Sequence, residues 1–267
     1  MSRFARQRIL LSLAFLSATS VISAERLPVL KDRIPELGNS SQLILVLAHD
    51  WNATEAKLYT FERNDAGNWK RAGIESDVVI GRKGMAWGIG LHGGCERGSA
   101  CKKEGDERVP AGVFELDEIF GVAKEPKLRF PYRHITATTE AIDDPRSRFY
   151  NRFVDAGSAS RKDWASSEHM LWSDDLYRWG IVVRHNWKQR PGYGSCIFLH
   201  TWLGPGQGTS GCTAMPAPAL QKLIRWLDQS KRPMLVQLPA AEYRSLRSRW
   251  RLPERVWTRD WSFSLLQ

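Results

Sequence analysis

The sequence predicts a mostly-β single domain, and three observations predict it. Short β-rich runs recur between turn clusters, only one segment carries helical periodicity, and the 267 residues contain no repeat, heptad or Gly/Ser linker. With 42% apolar and 25% charged residues the chain is too hydrophobic for a disordered tail, so a packed globular protein follows. Taken in order, Leu43–Leu47 is a continuous apolar strand, and Lys57–Phe61 alternates at period two before the turn signal Asn64–Asn68. Asp77–Ile80, Gly112–Leu116, Gly180–Val183, Ser195–Leu199 and Met234–Leu238 read as further strands. After Pro216, Leu220, Leu223, Ile224 and Leu227 fall at i, i+3, i+4 and i+7, a helix with Pro at its start, where a missing N–H costs nothing. The domain spans about residues 42–240, with a lead-in over 25–41 and a Trp- and Arg-rich tail over 241–267 that packs back on it.

The first 24 residues read differently. Arg3, Arg6 and Arg8 precede the apolar run Ile9–Val21 and the small residues Ser23 and Ala24, the pattern of a cleaved secretory signal over 1–24. The alternative is a membrane anchor, but the run is short for a bilayer and broken by Ser12, Ser17, Thr19 and Ser20, and no other stretch could span one. The whole chain carries 39 Lys plus Arg against 29 Asp plus Glu, a net charge of +10. Cleavage removes three Arg and no acid, leaving a net of +7, and export removes nucleic acid from the partners that charge suggests. An anionic cell-wall surface and a merely solvated surface remain as readings of that charge.

Reactive residues concentrate in Cys196–Met215. An apolar strand delivers His200 to its end, a Gly/Pro-rich loop follows, and Thr209-Ser210-Gly211-Cys212 precedes the helix. A thiol near a helix start sits in the positive potential of unpaired backbone N–H groups, which favours thiolate and offers donors to an oxyanion. A His within hydrogen-bond reach completes an activated nucleophile. On spacing alone, His200 and Cys212 read more often as two unrelated buried residues than as a catalytic pair.

His followed by a Gly-rich loop and Ser-Gly-Cys resembles the signature of the L,D-transpeptidase catalytic-domain (YkuD-like) family, in its branch with a short His-to-Cys loop and Thr-Ala-Met after the Cys. Gly105-Asp106-Glu107-Arg108-Val109-Pro110-Ala111-Gly112-Val113-Phe114 resembles the family's Gly-Asp-x-x-Thr-Pro-x-Gly-x-Phe segment. Asp143-Asp144-Pro145, Phe149-Tyr150-Asn151 and Val182-Val183-Arg184-His185-Asn186 also look like family segments, so the resemblance covers about residues 42–240. It implies a β-sandwich with few helices and a Cys enzyme that attacks peptidoglycan stem peptides after the L-centre of the third residue, releases D-Ala and passes the acyl group to an amine, without a cofactor. Carried onto this chain, it implies Cys212 as nucleophile and His200 as base, with the N–H groups of Gly211 and Cys212 holding the oxyanion and either Ser210 or the Thr201 carbonyl orienting the imidazole. Trp202, Thr209, Tyr150, Asn151 and Arg184 are the expected substrate contacts. Three positions depart from the commonest motif: Ser210 stands for a second His, Ala214 for an Arg, and Thr201 for a Gly. Water as acceptor gives an L,D-carboxypeptidase, and a silent peptidoglycan-binding module is the reading from another class. A papain-like enzyme expects Cys before His, the reverse of this order.

Cys95 and Cys101 bracket a short hydrophilic loop, for which a disulfide leads in an exported protein. Two free thiols, or a metal held with His92, are the alternatives, and neither a CxxC pair nor HExxH supports the metal. Cys196 reads as a buried filler or as a disulfide partner that would silence Cys212. Trp202 reads as cleft lining or as packing.

Overall fold

A computed structural model describes residues 29–94, 101–124, 126–157, 162–171, 175–254 and 256. The expected signal over 1–24 lies outside them. Thirteen strands are present among the described residues: β1 (Gln42–Ala48), β2 (Glu55–Arg63), β3 (Trp69–Val79), β4 (Met85–Trp87), β5 (Val109–Gly121), β6 (Tyr132–His134), β7 (Thr139–Ala141), β8 (Phe153–Asp155), β9 (Glu168–His169), β10 (Trp179–Val183), β11 (Phe198–Thr201), β12 (Thr213–Met215) and β13 (Met234–Pro239). Three helices accompany them, α1 (Pro35–Gly38), α2 (Ala217–Trp226) and α3 (Ala240–Leu246). The mostly-β expectation holds.

The hydrogen-bonded strands form a closed path. β1 lies between β2, antiparallel, and β13, parallel. β13 pairs with the first half of β5, whose second half pairs instead with β10, so one 13-residue strand serves two neighbours in turn. From β10 the path continues through β11, β12, β3 and β2 back to β1, the β12–β3 step resting on one register pair, Ala214 opposite Val79. In the first half of β5, Gly112 has φ 139°, and a Cβ there would lie 2.0 Å from the His92 ring, so only glycine fits.

Burial follows the sequence pattern. Every residue of β1 is buried, as a continuous apolar run requires when both faces are covered; α3 packs against β1 and β13. α2 buries Leu220, Leu223 and Ile224 and packs against β3, β10 and β11. A second, smaller cluster on β5, β10 and β11 contains Phe120, Val182, Cys196, Phe198 and Cys212. No helix among the described residues is long and apolar enough to cross a membrane.

Candidate active site

The site is built by the connection between β11 and β12. These strands are parallel, so the chain must return to the starting end of β11 before β12 can begin. That return brings Cys212, the residue before β12, beside the first residue of β11: the Phe198 amide donates to Cys212 Sγ at 3.3 Å. The connecting loop is pinned from outside, because Thr209 accepts from the Arg82 amide and donates its own amide to the Ile80 carbonyl. Thr209 Oγ1 then accepts from the Gly211 amide at 3.1 Å and donates to the Cys212 carbonyl, closing the turn that carries the thiol.

His200 lies within β11, two residues beyond Phe198 and on the same side of the strand. Its Nδ1 is 2.7 Å from the Thr201 carbonyl. A carbonyl only accepts, so Nδ1 carries the proton and Nε2 keeps its lone pair in the neutral ring. The Tyr177 ring meets the imidazole edge-on at 5.2 Å, and the Tyr177 hydroxyl donates to the Glu168 carboxylate. His200 and Cys212 line one cleft of about 460 Å³, together with Trp202, Tyr177, Lys102 and Glu168.

The electrostatics of the thiol differ from the sequence expectation. Cys212 does not lead into a helix: β12 intervenes, and α2 begins only at Ala217. Without the helix potential, burial pushes the Cys212 thiol up to about 12, and the nearby Glu168 carboxylate adds to the rise; the Phe198 amide and the Lys102 ammonium act against it. The resting sulfur is therefore a protonated thiol at neutral pH, and removing its proton needs a base. Cys212 Sγ also lies 3.5 Å from the Cys196 carbonyl. One cleft thus holds a buried thiol and a histidine in the Nδ1–H form.

A family model for the L,D-transpeptidase catalytic domain (YkuD) matches residues 50–236. The chain belongs to that family. No curated protein and no solved structure matches it.

Within this L,D-transpeptidase domain the residues expected from the sequence divide into two sets. Cys212, His200, Gly211, Ser210, Thr209 and Trp202 line the cleft. Thr201, rather than Ser210, holds the imidazole; Ser210 Oγ instead accepts from Arg82 Nη2 at 3.2 Å. The Gly211 amide, expected at an oxyanion, is already given to Thr209. Tyr150, Asn151 and Arg184 do not line the cleft. The Arg184 guanidinium pairs with Glu115 and Asp117 on β5, drawing it away from the site. Asn151 has φ 59° and spends its side chain on the carbonyls of His185 and Asn186 and the amide of Cys196, and the Tyr150 hydroxyl donates to Glu104. These two shape the loops behind the cleft.

The cysteines other than Cys212 are also placed. Cys196 is a free, buried thiol like Cys212; its φ of 53° takes it out of β11, and burial pushes its thiol well above the ordinary range. Cys101 is disulfide-bonded, and its expected partner Cys95 lies outside the described residues. His92, weighed as a metal ligand, is a core residue: Nδ1 accepts from the Val113 amide at 3.0 Å and Nε2 donates to the Gly88 carbonyl at 3.1 Å. Burial holds it down at about 4.

Sequence reasoning missed the charged lining. Lys102, Arg82, Glu104, Asp143 and Glu168 all face the cleft. Burial pushes Glu168 up to about 7, and Asp143 and Glu104 add to the rise while the Tyr177 hydroxyl opposes it. Asp143 Oδ1 is buried without a hydrogen-bond partner among the described residues. The available signal was that Lys102–Asp106 and Asp143 sit within or beside family-like segments whose individual roles no spacing rule assigns.

Proposed function

We propose that this chain is an exported, periplasmic peptidoglycan L,D-transpeptidase in which Cys212 is the nucleophile and His200 the base. The observation that carries the reading is the pairing, in one cleft, of a thiol that burial keeps protonated with an imidazole held by Thr201 in the form whose Nε2 can accept its proton. In the first half-reaction the Sγ proton passes to His200 Nε2 as sulfur bonds to the stem-peptide carbonyl carbon. The tetrahedral oxyanion collapses, the C–N bond breaks, and His200 returns the proton to the departing D-Ala amine. In the second, an amine attacks the thioester, gives its proton to His200 and releases the thiolate, which takes that proton back. Trp202 and the exposed Leu203 form an apolar lip suited to a peptide stem or sugar face.

The test is incubation of the purified protein with a disaccharide-tetrapeptide. The expected result is a covalent protein adduct with the mass of the donor less D-Ala, absent in Cys212→Ala, together with cross-linked dimers. Tripeptide without dimers assigns an L,D-carboxypeptidase, and wall binding without any adduct a silent module. An adduct persisting in Cys212→Ala overturns the nucleophile.

A further inference from the structure

The strand that follows Cys212 supplies no cation of its own, since Thr213, Ala214 and Met215 succeed it. The cation nearest the thiol's own peptide comes from another part of the chain. Lys102 is 3% exposed, an unusual place for an ammonium, and it lines the cleft with Gly211 and Cys212. A Cβ built on Gly211 would lie 3.2 Å from Lys102 Nζ, so the ammonium rests directly against the Gly211–Cys212 turn. There Nζ donates to Asp106 Oδ1 at 2.7 Å and more weakly to the Lys103 carbonyl at 3.4 Å. The Gly211 amide is occupied by Thr209, so the turn lacks one of the two backbone donors that an oxyanion hole ordinarily uses.

We infer that Lys102 is the electrostatic partner of Cys212: its ammonium stabilises the negative charge that arises first on Sγ and then on the oxygen of the tetrahedral intermediate. The inference rests on Cys212 as the reacting thiol. The charge balance of the cleft makes the role necessary. Glu168 disfavours an anion on the thiol, and Glu104 and Asp143 add further acid to the same cleft, whereas Arg82, the other cation of the cleft, is held at the exposed rim by Glu107 and Ser210. The Lys102 ammonium, buried beside the Gly211–Cys212 turn, offsets that acidic surround, and Asp106 holds it in place.

A competing role is purely structural. The Asp106 carboxylate also accepts from the amides of Lys103 and Arg108, so Lys102 could serve only to clamp this loop. Alkylation of Cys212 by iodoacetamide as a function of pH, in the full-length protein and with the label located by peptide mass, separates the two and needs no peptidoglycan turnover. Three variants are compared with the parent: Lys102→Arg, Asp106→Asn, and Lys102→Gln combined with Asp106→Asn, which removes both charges and so leaves no unpaired carboxylate that would unfold the loop.

The expected result is that the double variant moves the alkylation midpoint to higher pH, slowing labelling at neutral pH about tenfold for each unit moved. Lys102→Arg keeps the parental profile. Asp106→Asn, which weakens the clamp but retains the cation, does not slow labelling. The inference is overturned if the double variant labels like the parent, or if Asp106→Asn alone reproduces the slowing. Because labelling is read apart from acyl transfer, a protein that shows the Lys102 effect but forms no stem-peptide adduct would sink the proposed reaction and leave this inference standing.

Discussion

Glu168 is the residue whose environment differs most from its chemistry in water. It accepts from Tyr177, whose ring rests against His200, and burial lifts it from the ordinary 4.5 to about 7. Because the folded value lies above the unfolded one, the carboxyl holds its proton in the folded chain and releases it on unfolding between these limits. Its contribution is fully present below pH 4.5 and is lost as pH rises through 7, by up to about 3 kcal/mol for a shift of this size. Glu168→Gln removes the titration while keeping a hydrogen-bonding amide. Urea unfolding of both proteins from pH 4.5 to 8 is expected to show the parent losing stability relative to the variant as pH rises; parallel curves would contradict the assignment. The same substitution removes a carboxylate that faces Cys212, so iodoacetamide labelling of Cys212 above pH 7 is expected to be faster in the variant.

The β11–β12 connection is the element on which the site depends, and it shows what a sequence conceals. The residues of the connection were legible as chemistry, because His, a Gly-rich loop and Ser-Gly-Cys form a recognisable pattern. Its geometry was not. Three-residue β12 is too short to show a period, so the segment read as a loop entering a helix and the thiol as helix-activated. Ser195–Leu199 reads as a strand because it is largely apolar, yet the positive φ of Cys196 keeps it out of β11, which begins only at Phe198. Of β3 the sequence showed only the end, within Asp77–Ile80, since Lys70–Ser76 mixes half-buried and exposed positions and carries no apolar run. Gly211 carries the sharpest prediction at this scale. At φ 146° a side chain is strained by about 1–3 kcal/mol, and a Cβ would lie 3.1 Å from the Arg108 carbonyl and 3.2 Å from Lys102 Nζ. Gly211→Ala is therefore expected to slow acyl-enzyme formation more than tenfold while the protein still unfolds cooperatively at a reduced temperature. Parental acylation rates would show that the turn tolerates the displacement.

At the scale of the whole molecule, the buried strands were readable because continuous apolar runs such as β1 and β13 admit few other interpretations. The closed path was not, because it depends on β5 changing partners midway and on a single pair between β12 and β3. The chain from α3 onward reinforces that architecture. Tyr243, Leu246, Trp250, Leu252 and Val256 are buried in the main core, which the Trp- and Arg-rich composition foreshadowed only as packing of unknown depth. The segment is also stitched by hydrogen bonds to distant parts of the chain. Arg71 donates to the Val256 carbonyl at 2.7 Å, the Trp69 indole to the Arg251 carbonyl at 3.0 Å, and the Trp250 indole to the Lys31 carbonyl at 3.0 Å. Five buried side chains at about 1.5–3 kcal/mol each exceed or match the few kcal/mol by which a domain is ordinarily stable. Ending the chain after Ala240 is therefore expected to abolish the cooperative thermal transition. Trp250→Ala, which removes one of the five and leaves a cavity beside His92, is expected to cost about 3–5 kcal/mol. Because Trp250 lies outside the cleft, any Trp250→Ala protein that remains folded at low temperature should still label at Cys212 with the parental pH profile. A shortened chain that melts like the parent would show that the core closes without this segment.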